Sequence, residues 1–474
     1  MADLPDKQLS FIDWYLEVIE RAELSDKRYP VKGMNVWTPY GFQARRLLDG
    51  ILIREIERTG SRPVEFPTLI PQTEFQKEKE HIKGFDQQVY WVTKGGATEL
   101  DIPLVLRPTS ETAMYPVFAL WIRSHRDLPL NVYQIVNTFR YETKTTRPFI
   151  RVREIHFFEE HTCQRDEAAA TERVRSNLAA FDEMARSLVL PYVSTRRPEW
   201  DKFAGAFYSI CFDIPVGEAR SLQLGSVHHY RENFSRPYNI VYEDAQGEQR
   251  WVNQTTFGLS ERLLGAVVAV HGDEKGVIFP TSIAPIQAVV IPIMDAKTGT
   301  ETLAFARGVA HRLEEVGLRV SVDDGEERPG AKYYHWESRG VPLRLDIGKR
   351  ETAAGTLTAV DRLGHRSTIG PEDLEGKVRE LLSAFDQHLS ERANATFREA
   401  FATAVSMEEL RDSTKIRILA WCGKETCGHA IETAIDGGLL GTPESPLPLT
   451  LGAPGPCICC GEPKAQWALA SRPL

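Results

Sequence analysis

The cysteines of this 474-residue chain are concentrated near its C-terminus. Five of the seven lie in the last 53 residues, where Cys422-x4-Cys427 is followed after 29 residues by Cys457-x2-Cys460. Two close pairs separated by a loop supply the four thiolates of a tetrahedral Zn²⁺ site, whereas such clustering is atypical of a disulfide framework. The spacing therefore predicts a zinc site that closes a small C-terminal α+β domain.

The role of each cysteine follows from its neighbours. Cys459 adjoins the second pair and is an alternative to Cys460 as the fourth ligand. Cys163 and Cys211 stand alone and are interpreted as buried structural residues. Four protein ligands leave no open coordination position, so we expect the metal to stabilise the domain and not to take part in catalysis.

Length and composition limit the class of protein. At roughly 100 to 200 residues per domain, the chain predicts two to four domains. Hydrophobic residues make up 42% of it, and no apolar run approaches the roughly 18 residues of a membrane-spanning helix. The first residues lack the pattern of a secretory signal. We expect a soluble, cytoplasmic protein without membrane association.

The charge balance argues weakly against a nucleic-acid partner. The 57 basic and 66 acidic residues give a formal net charge of −9. A polynucleotide would have to bind a local basic patch against this unfavourable overall field. We expect no DNA partner, because a zinc-ribbon DNA-binding protein would explain only the C-terminal tail.

Hydrophobic periodicity divides the chain into three parts. In residues 1–282, amphipathic helices such as 41–59 alternate with strands such as 130–141 and 149–158. This alternation predicts a large α+β domain built on an antiparallel sheet. The sequence FPTSIAP then interrupts the pattern.

The rest of the chain predicts two further domains. Residues 283–390 open with the buried strand IQAVVIPI, continue with a helix over about 300–316 and return to a strand, LRVSVDD, which predicts an α/β domain. A charged helical stretch over about 371–411 then leads into the strand KIRILAWC and a zinc-binding domain over 391–474.

The first segment with chemical content is LRPTSETAMYP, where a strand ends near Arg107 and a helix begins near Ser110. Thr109 and Glu111, two residues apart on an extended segment, project to the same side and suit the ammonium group of a small ligand. Alternatively, Ser110 caps the helix and Glu111 stabilises its first turn. The segment alone favours that alternative, because capping sequences are common.

The second segment is VNTFRYETKTTRPFIRVREIHFFEE, two predicted strands joined by a short loop. It carries arginines at 140, 147, 151 and 153, and Glu142 follows Arg140 on the same side. Guanidinium groups on rigid strands suit a phosphate ester, which they bind bidentately. A cross-strand ladder of surface ion pairs explains this segment equally well.

The third segment, NQTTFGLSERLLGAVVAV, leads from a strand through Gly258 into a helix with an apolar face. Ser260 is the predicted N-cap, which puts Arg262 in the first turn beside free backbone amides. That combination suits a phosphate group. In isolation, the segment favours an ordinary core helix with one solvated arginine.

Together these segments resemble the motifs of class II aminoacyl-tRNA synthetases. The stretch from Ala44 through RPVEFPTLIP, with Pro67, is similar to motif 1; FRYE and its return strand are similar to motif 2, and GLSERLLGA to motif 3. RPTSETAMYP, SVHHYRENFS, EWDKFAGA and VHGDEKG resemble sequences of the prolyl-tRNA synthetases. The resemblance is to the archaeal and eukaryotic type and covers essentially the whole chain.

The resemblance implies a reaction and its partners. L-proline and ATP would give prolyl-adenylate, and the prolyl group would pass to the 3′-terminal adenosine of tRNA(Pro). Mg²⁺ would share the phosphate charge, and the motif 1 region would form a homodimer. Thr109 and Glu111 would hold the imino group of proline. Arg140 would bridge the substrate carboxylate and the α-phosphate, and Arg262, the second implied catalytic residue, would hold the γ-phosphate.

The resemblance also implies the remaining site residues. The proline pocket would have aromatic walls and a closing histidine, namely Phe85, Phe157, Phe203 and His228. The nucleotide would be contacted from motifs 2 and 3 and from one further strand, by Glu142, Arg151, Gln223 and Ser260. Ile155 takes the adenine-facing position, where motif 2 usually has an aromatic residue, and Phe257 precedes Gly258 where related enzymes often have tryptophan.

The second domain resembles the anticodon-binding domain of class IIa synthetases. Its stretch from Arg339 to Arg350 carries four basic residues and one acidic residue. Arg344, Lys349 and Arg350 are candidates for anticodon contacts. As surface charges, the three are equally well interpreted as merely solvated.

Two departures from the family pattern carry expectations. About 96 residues, from Glu159 to Gln254, separate motifs 2 and 3. They leave no room for the large editing insertion of the bacterial type, so we expect no editing in cis. Family members with a zinc-binding tail commonly end in an aromatic residue near the active site, whereas this chain ends in SRPL, so no role for the terminal carboxylate is inferred.

Two rival interpretations belong to the same fold. A threonyl-type synthetase would hold its amino acid on a catalytic Zn²⁺, and the N-terminal half of this chain offers only two isolated cysteines. A synthetase-like regulatory protein without catalysis is disfavoured by the joint presence of Arg140, Glu142 and Arg262.

Overall fold

The architecture was analysed in a computed structural model of the chain, which describes residues 4–78, 88–294, 299–370, 372–411 and 414–474. Across these residues no helix combines the length and the apolar character needed to cross a membrane.

Helices and strands alternate through the N-terminal part as the sequence predicts. Its helices are α1 (Phe11–Arg21), α2 (Pro39–Arg58), α3 (Gln72–Phe75), α4 (Glu111–Trp121), α5 (Glu167–Ser187) and α6 (Arg262–His271). Its strands are β1 (Ser25–Asp26), β2 (Val36–Trp37), β3 (Arg62–Pro63), β4 (Leu69–Pro71), β5 (Tyr90–Gly95), β6 (Thr98–Leu106), β7 (Leu130–Phe139), β8 (Glu154–Gln164), β9 (Val193–Arg196), β10 (Tyr208–Pro215), β11 (Arg220–Arg231), β12 (Val241–Glu243), β13 (Gln249–Trp251) and β14 (Asn253–Ser260).

The centre of this part is an antiparallel sheet in the order β9-β10-β11-β14-β8-β7. On one face, Phe181 of α5 stacks on Phe212 of β10 at 3.8 Å and meets Phe257 of β14 edge-on. Side chains alternate along a strand, so neighbours of these core residues, such as Cys211 and Thr256, point to the other face. That face carries the cavity described below. The predicted antiparallel α+β domain is confirmed.

Two predicted element bounds are wrong. The strand predicted over 149–158 begins only at Glu154, because Phe149 has a left-handed backbone (φ 61°) and Arg147 and Arg151 form a turn closed by a β-bridge. The helix predicted over 371–411 ends at Glu399 and is followed by a strand, so its charged periodicity was extended too far.

The second part is an α/β domain. Its elements are β15 (Ala288–Pro292), α7 (Gly299–Glu315), β16 (Val320–Val322), α8 (Pro329–Ser338), β17 (Leu343–Ile347), α9 (Lys349–Ala354), β18 (Leu357–Asp361), β19 (Arg366–Ile369) and α10 (Leu374–Glu399). Strand β15 is fully buried and pairs in parallel with β16 and β17, which explains its continuous apolar sequence.

The C-terminal part extends the central antiparallel sheet. It contains β20 (Phe401–Ala404), α11 (Met407–Arg411), β21 (Ile416–Trp421), α12 (Glu425–Ile435), β22 (Gly438–Pro443) and β23 (Gln466–Pro473). Strand β22 pairs with β9, and β23 pairs in parallel with the start of β11. Within the described residues the sheet therefore runs β20-β21-β23-β22-β9 and onward to β3. The predicted boundary at residue 390 lies inside α10.

Candidate active site

One cavity of about 370 Å³ lies on the open face of the antiparallel sheet. Its walls come from β8 and the motif 2 loop that follows β7, from β11 and β14, from the start of α4, and from the loop before β10. The structure brings all of the described residues predicted for proline and ATP into this wall: Thr109, Glu111, Arg140, Glu142, Arg151, Phe157, Phe203, Gln223, His228, Ser260 and Arg262. Phe85 lies outside the described residues.

A buried carboxylate marks one end of the cavity. Glu111 is the first residue of α4 and only 4% exposed. The Thr109 hydroxyl donates a hydrogen bond to it, and the Tyr230 hydroxyl lies 3.4 Å from its Oε1. The carboxylate lies at a helix N-terminus, and its remaining acceptor positions suit a cationic amine.

Ser110 does not cap α4, although the sequence alone favoured that interpretation. It occupies the N-cap position, yet its hydroxyl makes no capping hydrogen bond and donates instead to Glu159. The amide of Gln134 donates to Ser110 Oγ at 3.0 Å and to Glu159 at 2.7 Å. The TSE segment is therefore tied by side chains to the neighbouring strands, and this attachment sets the position of Glu111.

A neutral histidine and the ring of Phe203 enclose the same end. His228 Nδ1 lies 2.7 Å from the Ser209 hydroxyl, and Nε2 lies 2.9 Å from that of Ser226. Burial, assisted by the charge of His161, lowers the pKa of His228 to about 3. The Phe203 ring packs 4.8 Å from His228. This wall therefore offers apolar surface and neutral dipoles without a charge.

Arg151 and Arg262 lie at the other end, and Arg140 lies between the two ends. Burial, together with the positive charges of Arg140 and Arg151, lowers the pKa of Arg262 to about 10. Arg262 donates from Nε to the Ile150 carbonyl at 2.9 Å and from Nη1 to that of Gln223 at 3.3 Å. Arg140 donates from Nε to the Pro108 carbonyl at 3.1 Å. Mutually repelling, buried guanidinium groups held in fixed positions form a polyanion site.

The predicted N-cap of α6 is one residue too early. The helix begins at Arg262 and Glu261 takes the cap position, although Ser260 Oγ still accepts a bond from the Arg262 amide at 3.3 Å. Glu261 turns away and accepts from the His156 amide at 2.8 Å, and burial raises its pKa to about 8. Arg262 therefore occupies the first turn, as predicted.

Motif 2 contributes a further ion pair at this end. Arg151 lies 3.9 Å from the Glu142 carboxylate and 3.4 Å from the backbone oxygen of Leu474. Leu474 is buried and donates its amide to Ser221 at 3.1 Å, so the last strand carries the chain to the cavity edge. Ile155 lines the cavity, as its predicted position requires.

Sequence reasoning missed two polar residues of the cavity wall. Glu159 and His161 follow Phe157 at alternate positions of β8 and share its face. Their side chains are 3.1 Å apart; burial disfavours the imidazolium, but the hydrogen bond and charge of Glu159 raise the pKa of His161. The signal available in the sequence was that Glu159 and His161 continue the alternate positions of Phe157 on the same strand.

The predicted structural cysteines are both buried. Cys211 also lines the cavity, and burial raises its pKa to about 11, so its thiol is protonated at neutral pH. Cys163 lies in the core beside β7.

The C-terminal cysteines form a compact group. The Sγ atoms of Cys422, Cys427, Cys457 and Cys460 lie within 4.8 Å of one another, while Cys459 is exposed and outside the group. Burial raises the pKa of Cys457, but the backbone amides of residues 459 and 460 outweigh it and lower the pKa to about 7. Four thiols with amide donors aimed at one of them fit a tetrahedral Zn²⁺.

A second group of potential ligands was not predicted. Asp361, His365 and His388 also lie within 4.8 Å of one another, and both histidines are exposed. His365 is bonded to Asp361 at 2.8 Å.

The anticodon candidates differ in their surroundings. Arg344 lies over the Tyr333 ring and forms ion pairs with Asp346 at 3.0 Å and Glu337 at 3.6 Å. Lys349 and Arg350 are exposed at the start of α9.

Comparisons with known proteins agree with this geometry. The family model "tRNA synthetase class II core domain (G, H, P, S and T)" matches residues 90–271, and "Anticodon binding domain" matches residues 287–381. The proline–tRNA ligase of Thermococcus kodakarensis is 48% identical over 92% of each chain. Among solved structures, the prolyl-tRNA synthetase of Giardia lamblia in complex with prolyl-adenylate superposes with a TM-score of 0.94 at 31% identity over 100% of each chain. That of Cryptosporidium parvum, complexed with halofuginone and AMPPNP, has a TM-score of 0.93 at 31% identity over 99% of each chain.

Proposed function

Because the chain belongs to the prolyl-tRNA synthetase family of class II synthetases, we propose that the cavity is the site at which proline and ATP react. The activity of the chain is proline–tRNA ligation: it activates L-proline with ATP to prolyl-adenylate and transfers the prolyl group to tRNA(Pro). The two stages share one adenylate-binding site.

The opposition of charges in one cavity carries this proposal. The buried Glu111 carboxylate suits the imino cation of proline, whereas Arg140, Arg151 and Arg262 suit the triphosphate. A cavity of about 370 Å³ is large enough for a small amino acid beside a nucleotide's reacting phosphate.

The chemistry requires positioning and charge neutralisation. Arg140 lies between the two ends, with Glu111 and Glu142 both acting on its charge. It would hold the proline carboxylate and the α-phosphate together while a carboxylate oxygen attacks phosphorus in line and diphosphate leaves. Arg262 would hold the γ-phosphate, and Gln223 and Ser260 would contact the nucleotide. Fixed guanidinium groups then stabilise charge as it develops.

The pocket walls explain the choice of amino acid. Phe157 and Phe203 would flank the pyrrolidine ring, and the neutral His228 would close the pocket without repelling the imino cation. Thr109 would share the imino group with Glu111.

Two metals complete the proposal. Structural Zn²⁺ would be held by Cys422, Cys427, Cys457 and Cys460, whose thiol geometry supports it, and would stabilise the tail without entering the reaction. Mg²⁺ would accompany ATP, since it prefers oxygen ligands and usually binds with substrate phosphates. Glu142 offers carboxylate oxygens at that end.

The remaining partners follow from the activity. tRNA(Pro) would bind across the second domain, where the exposed Lys349 and Arg350 suit the anticodon backbone and Arg344 contributes from its ion-paired position. We also propose domains at 1–282, 283–390 and 391–474, a homodimer, and action in the cytoplasm, where translation uses the product.

The deciding experiment is amino-acid-dependent ATP–pyrophosphate exchange across all twenty amino acids. Exchange strongest with proline and lost in Arg140→Ala supports the proposed site. Arg126→Ala, a change at an exposed arginine, serves as the matched control and should exchange as the wild type does. Proline-dependent exchange that survives in Arg140→Ala would contradict the assignment of the cavity.

A further inference from the structure

The proline end of the cavity is built partly by a loop that contacts the C-terminal domain. Residues 197–207 join β9 to β10, and Asp201, Lys202 and Phe203 from this loop line the cavity. The Phe203 amide donates to Ser209 Oγ at 2.9 Å, and the same hydroxyl is bonded to His228. The position of this loop therefore determines the wall that would flank proline.

Trp200 belongs to the same loop but points away from the cavity. Its indole Nε1 donates to Glu432 of α12 at 3.0 Å, and its ring lies 4.8 Å from His429 and 5.9 Å from Trp421. A Cβ at Gly428 would lie 2.3 Å from the Trp200 ring. Helix α12 thus provides a surface on which the indole rests, and only glycine at position 428 permits this approach.

The turn between Trp200 and Phe203 is short and hydrogen-bonded. The amides of Asp201 and Lys202 both donate to the Pro198 carbonyl, at 3.1 and 3.0 Å. Arg197 anchors the start of the turn: it donates to Leu440 of β22 at 2.8 Å and to the buried Asp213 at 2.9 Å. A displacement of Trp200 is therefore transmitted to Phe203 through a closed turn.

We propose that Trp200 is a positioning residue through which the C-terminal domain sets the affinity for proline. The indole rests on α12, the turn carries its position to Phe203, and Phe203 with His228 shapes the proline end. The ATP end is formed by other segments, so the effect falls on proline and not on ATP. The inference rests on the proposed location of the proline site.

The test separates affinity from folding. In proline-dependent ATP–pyrophosphate exchange, Trp200→Ala should raise KM for proline about 10-fold, since small misplacements of a substrate-holding wall are costly. KM for ATP should stay within about twofold, because the arginine end keeps its contacts. Direct proline binding by calorimetry should weaken by the same factor. Trp467→Phe is the matched control, since its indole donates to Gly452 within the C-terminal domain and touches no loop of the cavity.

Conservative variants at positions 200 and 432 test whether the contact between Trp200 and α12 sets KM for proline. Trp200→Phe keeps a ring on α12 but loses the bond to Glu432, and should raise KM for proline less than Trp200→Ala does. Glu432→Gln keeps an acceptor oxygen and should resemble the wild type, whereas Glu432→Ala should resemble Trp200→Phe.

A folded Trp200→Ala or Trp200→Phe protein with a lower Tm but unchanged KM for proline would overturn the proposal. So would equal rises in KM for proline and ATP. Failure of the wild type to exchange with proline would instead refute the proposed function.

Discussion

At the scale of single residues, Arg262 is held where its charge is disfavoured. Burial and the neighbouring Arg140 and Arg151 lower its pKa to about 10, yet it remains protonated at neutral pH. The polar contacts of its guanidinium fix its direction. A bound triphosphate would supply the opposite charge that three converging arginines require, so the cost of assembling them is offset when ATP binds.

Replacing Arg262 with lysine tests this geometry. Arg262→Lys keeps the charge but loses the planar fork, so kcat/KM for ATP in the exchange reaction should fall roughly 10²-fold. KM for proline should stay near the wild-type value, because Glu111 and Phe203 lie at the other end. Arg126→Lys, at an exposed site, is the control. If Arg262→Lys keeps the wild-type kcat/KM for ATP, the proposed role of Arg262 is refuted.

A buried histidine predicts the pH dependence of stability. Burial, with the charges of Arg392 and Lys7, lowers the pKa of His271 to about 3, and His271 donates to the Leu188 carbonyl at 3.2 Å. Below pH 6.5 the unfolded chain binds a proton at this histidine and the folded chain does not. Stability therefore falls as pH drops, by about 1.4 kcal/mol per pH unit for this group.

The change from pH 7 to pH 5 isolates this contribution. His271→Gln keeps an N–H donor and removes the titration, so its apparent Tm should fall less over this interval than that of the wild type. His311→Gln, at an exposed histidine, should match the wild type. An identical fall in all three proteins would show that His271 does not contribute to the pH dependence.

At the scale of elements, the segment between motifs 2 and 3 forms a helix and strands of the central domain. Among its described residues, α5 covers the sheet, while β10 and β11 form the floor of the cavity. With no editing in cis, as we expect, discrimination against alanine would rest on the pocket alone, where each missing methylene is worth roughly 10- to 200-fold.

Alanine therefore tests the absence of editing. Alanine-dependent exchange should be measurable, with kcat/KM roughly 10²- to 10⁴-fold below that of proline. Alanyl-tRNA(Pro) incubated with the protein should lose its aminoacyl group no faster than in buffer, and prolyl-tRNA(Pro) is the parallel control. Deacylation that depends on the protein would contradict the expectation.

The cysteine group ties α12 to the turn that precedes β23. Cys427 lies on α12, while Cys457 and Cys460 lie in the turn. We expect one Zn²⁺ per chain by elemental analysis, reduced in Cys460→Ser. A chelator should lower the apparent Tm, because metal binding contributes to folding. His388→Ala disrupts the second group of potential ligands and should keep the zinc. If that variant alone loses its zinc, the metal binds at the second group and not at the cysteines.

At the scale of the whole molecule, the fold was more predictable than the direction of side chains. Periodicity placed α2 within two residues of its start and predicted the antiparallel sheet and the α/β domain. Two of the three motifs alone favoured a structural interpretation and the other was evenly balanced, because a local pattern contains no information about neighbours distant in sequence. The sheet pairs β8 with β14 and β11 with β14, and this pairing brings the segments together.

The errors have the same physical origin. Ser110 has a capping sequence, but Glu159 of a distant strand competes for its hydroxyl. The charged periodicity over 371–411 has the pattern of one helix, yet the residues after Glu399 form β20, which pairs with β21. Tertiary pairing overrides local preference in both cases, and only the folded chain reveals it.

The proposed homodimer would cover an apolar sheet face. Strands β4, β6 and β5 form a small sheet that buries Ile70 and Val105 on one side. Register and alternation place further apolar residues on the opposite side, namely Leu69, Val92, Ile102, Leu104 and Leu106. Ile102 is 47% exposed, and we expect this apolar face to form the proposed interface.

Light scattering coupled to size exclusion measures this association. At micromolar concentration the wild type should elute with twice the 53.5 kDa of the chain. Ile102→Glu places a charge in the centre of the face, which an interface would have to desolvate, and should shift the protein to the monomer. Val405→Glu changes an apolar side chain that is 77% exposed in the C-terminal part and should leave the dimer intact. A monomeric wild type would contradict the proposed homodimer, and a dimeric Ile102→Glu protein would place the association elsewhere than on this face.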